Sequence, residues 1–182
     1  MSRPWPDLFI VTQFLEASQC DQIVAEMKTA AGSSATVYGT SVSGTIDQSM
    51  RRTFRVNPSN ETVAFVIQKL VSLKDSIEKH FNVVLNECED PQFLRYREGD
   101  FFVAHQDGNT GLLRLETEKR LISTVIFLSR DYFGGSLVFS NLREQFEMPA
   151  ELGMLVAFRS ETTHEVTPVT QGERYSIASW YR

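Results

Sequence analysis

The period of the hydrophobic positions changes along the chain. In VTQFLEASQCDQIVAEMKTAA a short apolar strand leads into Cys20, Ile23, Val24 and Met27 at helical spacing, before AGSS ends the run. This predicts a first helix. Asn57-Pro58 after RRTFRV supplies a cap with proline at the first helical position. Val63, Val66, Ile67, Leu70, Leu73 or Lys74, and Ile77 then form an apolar stripe, predicting a second helix to about His80. Residues 31–50, AGSSATVYGTSVSGTIDQSM, are rich in Gly, Ser and Thr without sustained periodicity, and they read as a long mobile loop.

From Phe93 onward the pattern becomes short β-type runs separated by turns: QFLRYRE, FFVAHQ, RLISTVIFLS, SLVFSN, EQFEMP, GMLVAFRS, HEVTPV and RYSIASWYR. Strands in that number with no helix between them predict a jelly roll or barrel. The expected class is therefore mainly β with N-terminal helices (α+β).

Composition narrows the partners. A chain of 182 residues with 42% hydrophobic and 23% charged positions fits one globular domain with a real core. Its net charge of −5 argues against a nucleic-acid or anionic-membrane partner, which would need clustered Lys and Arg. Small polar or peptidic substrates stay open. Cys20 and Cys88 have no Cys-x-x-Cys spacing, which suits a reducing compartment, with each thiol a small buried hydrophobe. No signal-like segment or long apolar run is present, so the expected location is cytoplasmic.

The chemistry starts at FFVAHQDGNTG. On an extended segment, side chains two apart share a face, so His105 and Asp107 point the same way. His164, in SETTHEVTPV, is the only downstream histidine and completes a set of two imidazoles and one carboxylate. Such a facial triad leaves adjacent positions open on an octahedral metal and suits Fe(II) oxygen chemistry rather than a closed structural zinc site. On the last strand Arg174, Ser176, Ala178 and Trp180 share one face. An arginine pointing into a barrel needs an anion, and Ser176 and Ala178 leave room for one. A dicarboxylate chelating iron at one end could rest its far carboxylate on that guanidinium.

These blocks, with FLEASQCDQIV, RYREGDFFVAHQD, RLISTVIFL, FGGSLVFS, PAELGMLVAF and HEVTPVTQGERYSIASWY, resemble the prolyl 4-hydroxylase-like branch of the iron(II)/2-oxoglutarate dioxygenases over nearly the whole chain. The resemblance implies a double-stranded β-helix (jelly roll, cupin-like) over residues 93–182. Residues 1–92 would then supply helical support and a lid loop in one 182-residue domain. It implies His105, Asp107 and His164 as iron ligands and Arg174 as partner of the distal 2-oxoglutarate carboxylate. Tyr96 would add a hydroxyl near the cosubstrate, and Ser123 would be a small hydroxyl residue facing the pocket. The implied reaction consumes O2 and 2-oxoglutarate, releases succinate and CO2, and hydroxylates an unactivated C–H, with ascorbate as a reductant. The substrate is a prolyl or other peptidyl or amino-acid side chain, or alternatively a small metabolite. Asp107 favours hydroxylation, since related halogenases lack that carboxylate.

Two other classes remain in view. A cupin-type metal enzyme shares the barrel but typically uses more histidines with a glutamate, and a non-catalytic β-sandwich binding module accounts for the strands alone. Gly134-Gly135 reads as a tight turn, and His80 as a helix-end residue rather than a ligand. Trp180, Phe101, Phe127, Phe139 and Phe158 read as core or pocket walls. Tyr38, Arg51 and Arg52 are the aromatic and charged contacts expected of a lid spanning 32–52.

Overall fold

A computed structural model describes residues 5–37, 46–108 and 120–182. Fourteen strands and three helices are assigned among these residues. In chain order they are β1 (Leu8–Val11), α1 (Ala17–Thr29), β2 (Gly32–Ser34), β3 (Arg51–Arg52), β4 (Phe54–Val56), α2 (Asn60–Val71), α3 (Lys74–Phe81), β5 (Gln92–Tyr96) and β6 (Phe101–His105). There follow β7 (Ile122–Phe127), β8 (Tyr132–Gly134), β9 (Leu137–Ser140), β10 (Gln145–Glu147), β11 (Leu155–Arg159), β12 (His164–Val166), β13 (Val169–Gly172) and β14 (Arg174–Tyr181). Strands pair in a seven-stranded sheet of order β1-β11-β7-β14-β5-β4-β2, a five-stranded sheet of order β10-β9-β12-β6-β3, and a β13-β8 pair. All pairings are antiparallel, as a jelly roll requires.

The large sheet is covered on both faces, and its strands record that. Along β14, Tyr175, Ile177 and Tyr181 join Cys20, Ile23, Met27, Val66, Leu70, Ile77 and Phe81 in the core shared with the helices. The alternate residues Arg174, Ser176, Ala178 and Trp180 line the cavity on the opposite face. In β11 the alternation is Leu155 and Ala157 toward the helices, Val156 and Phe158 toward a second core with Phe127, Phe139 and Met154.

Several expected elements differ from those observed. The second helix is capped by Ser59, whose hydroxyl accepts from the Thr62 N–H, so Pro58 precedes the cap instead of opening the helix. That helix is also two. Ser72 N–H reaches both Gln68 and Leu70 carbonyls and Leu73 N–H bonds Leu70, a tightened turn that ends α2 before α3 begins. HEVTPV divides at Pro168 into β12 and β13, since proline cannot donate to a ladder. The segment read as loop from 31 to 50 contributes β2, an exposed edge strand held on β4. Residues 38–45, Tyr38 included, lie outside the described residues, as do 109–119.

Cys20 is fully buried as expected, whereas Cys88 is only half-buried, its thiol beside the Ser179 hydroxyl at 3.3 Å. Phe127, Phe139 and Phe158 are buried, while Phe101 is half-buried under the Arg52 guanidinium. Gly134 and Gly135 have φ of +68° and +60°, and a Cβ at Gly134 would overlap the Pro168 carbonyl, so the pair serves the backbone. His80 lies at the end of α3 near Asp7, at 3.1 Å, with Phe9 and Phe81 against its ring, far in function from the cavity. No helix among the described residues is long and apolar enough to cross a membrane.

Candidate metal and cosubstrate site

His105 ends β6 and His164 begins β12, and antiparallel register sets them directly opposite each other. Their rings lie 4.3 Å apart between centroids. Asp107 follows His105 by two residues in the turn after β6, where its N–H and that of Gly108 both donate to the Ser160 carbonyl at 2.9 Å. The Asp107 carboxylate spans the two imidazoles, with Oδ1 3.5 Å from His105 Nε2 and Oδ2 3.4 Å from His164 Nε2. Ligand atoms of all three residues fall within 4.8 Å of one another.

Each imidazole is oriented from behind. His105 Nδ1 lies 2.8 Å from the Val103 carbonyl and His164 Nδ1 2.9 Å from the Thr162 carbonyl. Since a carbonyl can only accept, each Nδ1 carries the proton and each Nε2 lone pair faces the shared space. Phe102 stacks on His105 with centroids 3.5 Å apart, and Phe158 meets His164 edge-on at 4.7 Å. Ser123 donates to Asp107 Oδ2 at 2.7 Å and contacts the Ser160 hydroxyl at 2.9 Å. The structure thus puts the Ser123 hydroxyl on the carboxylate of a candidate ligand rather than in the cavity lining.

Charge states suit a cation. Burial opposes the charged form of Asp107, but the neighbouring His164 and His105 outweigh it and hold the carboxyl well below the usual range. Burial, aided by repulsion from His105, pushes the His164 imidazole down to about 4. At neutral pH one anionic oxygen and a neutral imidazole need lose no proton to bind metal. Two nitrogens and one carboxylate on one side leave the opposite positions open, a donor set that fits Fe(II) better than a closed site.

The cavity in front of this cluster measures about 480 Å3. Arg174, 1% exposed, forms its far wall, with Nη1 donating to Ser176 Oγ at 2.7 Å and Nε without a partner. Its guanidinium lies 5.1 Å over Tyr96 and 5.6 Å over Phe127. Tyr96 is buried, lines the cavity, and stands opposite Arg174 in the β5-β14 register. Among the described residues no carboxylate pairs with Arg174, so a buried cation faces an open volume lined also by the three candidate ligands.

Two further arginines border the cavity, one that the sequence did not single out and one that it placed elsewhere. Arg120 clasps Glu89 through Nε at 2.8 Å and Nη2 at 2.6 Å and lies 3.8 Å over the Trp180 ring, bracing the cavity rim. Arg51, read as a lid charge, is instead buried on β3 and lines the cavity. An arginine's spacing on a strand can be read from sequence, but its partner across the sheet cannot.

Residues 91–182, half of the chain, match the model of the family described as 2OG-Fe(II) oxygenase superfamily. The chain belongs to that family. All of the strands β5 to β14, and with them both candidate histidines, Asp107 and Arg174, fall inside the matched stretch. Fe(II) and 2-oxoglutarate are accordingly the metal and cosubstrate of this family member. A PKHD-type hydroxylase of Paracoccus denitrificans is 36% identical over 97 residues, covering 50% of this chain and 41% of the relative. The chain thus spans about two fifths of the length of the curated relatives it matches. A prolyl-4-hydroxylase of Pseudomonas putida superposes with a TM-score of 0.76 at 22% identity, covering 97% of this chain and 92% of the other. A prolyl hydroxylase of Trichoplax adhaerens, solved with a hypoxia inducible factor peptide fragment, superposes at 0.75 with 18% identity over 97% and 84%. These likenesses establish the oxygenase jelly roll.

Proposed function

We propose that the protein is an Fe(II)- and 2-oxoglutarate-dependent hydroxylase that inserts oxygen into an unactivated C–H of a prolyl or other peptidyl or amino-acid side chain. The observation that carries this reading is the pairing of the His105, Asp107 and His164 cluster with an unpaired buried Arg174 across one cavity. His105, Asp107 and His164 would hold the metal, and the bound metal with 2-oxoglutarate and O2 supplies the oxidising chemistry. The backbone carbonyls of Val103 and Thr162 keep both Nε2 atoms presented, and Ser123 keeps Asp107 turned toward them. Arg174 would fix the distal carboxylate of 2-oxoglutarate, with Tyr96 beside it, so the cosubstrate has one orientation. Phe102, Leu94, Leu137 and Val166 line the same cavity with apolar surface that excludes water.

The peptide held by the Trichoplax neighbour supports a peptidyl substrate, and a small metabolite is the second reading, favoured by the limited volume of the cavity. We assign residues 1–182 to one oxygenase domain, with 1–92 as support and lid and 93–182 as the catalytic core, acting in the cytoplasm. The test is anaerobic reconstitution with Fe(II), then succinate production from 2-oxoglutarate alongside mass spectrometry of candidate substrates for gain of one oxygen atom. Absence of 2-oxoglutarate-dependent succinate from iron-loaded, folded protein refutes the proposal.

A further inference from the structure

The proposed chemistry leaves Arg51 unused. It opens β3 opposite Phe102 and is 8% exposed. Nη1 donates to the Thr36 carbonyl at 3.0 Å, while Nε is buried without a partner. The guanidinium lies 4.7 Å over the Phe102 ring, whose other neighbour is His105. Arg51 therefore stands two stacked layers from a candidate metal ligand and lines the same cavity.

A buried cation with one neutral acceptor and an aromatic face is not neutralised, and among the described residues no carboxylate pairs with it. Among the described residues the cavity therefore holds two such cations, Arg51 on the small sheet and Arg174 on the large one. One 2-oxoglutarate held at the metal would offer a single distal carboxylate, which Arg174 would take. The second cation awaits a second anion. Arg51 also borders a groove of about 220 Å3 whose lining holds four arginines, Arg51, Arg52, Arg95 and Arg97, against one carboxylate, Asp100. Arg95 Nε is buried there without a partner, and Arg97 pairs with Glu173 at 3.2 Å. This concentration runs against the net charge of −5 of the chain.

Resting on the hydroxylase reading, we infer that Arg51 is the specificity-determining residue for substrate, pairing with a carboxylate a few bonds from the C–H that is hydroxylated. That carboxylate belongs either to a free amino or other small organic acid or to an acidic side chain of a peptide. A neutral isostere leaves the guanidinium buried and unpaired, so discrimination comes from the penalty of the wrong ligand as much as from attraction to the right one.

Matched acid and amide pairs test this. The probes are free L-amino acids against their amides, and capped tripeptides containing Asp or Glu against the same peptides with Asn or Gln. Binding to the iron- and 2-oxoglutarate-loaded protein under anaerobic conditions is measured by NMR titration. At least one acid should bind about tenfold or more tightly than its amide. Arg51→Met, which keeps the aliphatic stem on Phe102, should erase that ratio, and Arg51→Lys should restore part of it. The tight-binding set, free acids or acidic peptides, identifies the source. No acid preference in the wild type, or an undiminished preference in a folded Arg51→Met protein, overturns the inference. Binding is read without turnover, so loss of succinate production with the acid preference intact would strike the hydroxylase reading alone.

Discussion

Replacing Ser123 with alanine separates two roles that a small hydroxyl beside the cavity could have. Its Oγ donates to Asp107 Oδ2 at 2.7 Å, within the range of a charge-assisted bond, and its 1% exposure leaves no water to replace it. A hydrogen bond to a charged group contributes about 1.5–3 kcal/mol, and loss of an outer partner of a metal ligand typically weakens metal binding by roughly ten- to a hundredfold. Ser123→Ala should therefore raise the Fe(II) dissociation constant by that factor and leave the requirement for 2-oxoglutarate at saturating iron nearly unchanged. Ser160→Ala is the internal control. Its hydroxyl contacts the Ser123 hydroxyl, while its backbone carbonyl still accepts from Asp107 and Gly108. The metal effect there should be smaller by about tenfold. Anaerobic Fe(II) titration followed by competition with a chromogenic chelator measures both constants, and calorimetric melting checks that each variant folds. Unchanged iron affinity in Ser123→Ala with a raised 2-oxoglutarate requirement would refute the orienting role and move Ser123 to the cosubstrate.

His105→Ala, Asp107→Ala and His164→Ala should each abolish iron-dependent succinate production while circular dichroism stays native, and a fully active folded variant would break the ligand assignment. Arg174→Ala should raise the 2-oxoglutarate concentration for half-maximal decarboxylation by about tenfold or more, with lysine rescuing only part of the loss. Burial opposes ionisation of Glu89, but Arg120 and Arg182 outweigh it and hold the carboxyl below its ordinary 4.5. A folded-state value below the unfolded one stabilises at higher pH and is lost as pH falls through the folded value. Glu89→Gln should therefore melt lower than wild type at neutral pH, the gap closing under increasingly acidic conditions, as followed by thermal denaturation across pH.

The sequence by itself determined the fold class through the periods of its helices and strands, and it pointed to the candidate site residues through strand alternation together with the family resemblance. Alternation along β14 puts Arg174 with Ser176 on one side whatever the rest of the chain does, whereas Asp107, read on the same strand face as His105, sits in the turn after β6 where the Ser160 carbonyl holds its N–H. Helical spacing of Cys20, Ile23 and Met27 likewise marked the buried face of α1 correctly. Local rules failed where a backbone group had competing partners. Ser59 rather than Asn57 caps α2, and the turn at Ser72 divides one apolar stripe between two helices whose stripe alone reads as continuous. Register was decided only in three dimensions. That His164 faces His105, that Ser123 reaches Asp107, and that Arg51 leaves its loop for a strand against Phe102 are consequences of antiparallel pairing between segments distant in the chain. Burial followed from the same packing. Strand alternation already turned Arg174 inward, but Arg51 looks like an ordinary loop cation until the two sheets enclose it, and only the packing leaves both guanidinium groups without a carboxylate partner among the described residues.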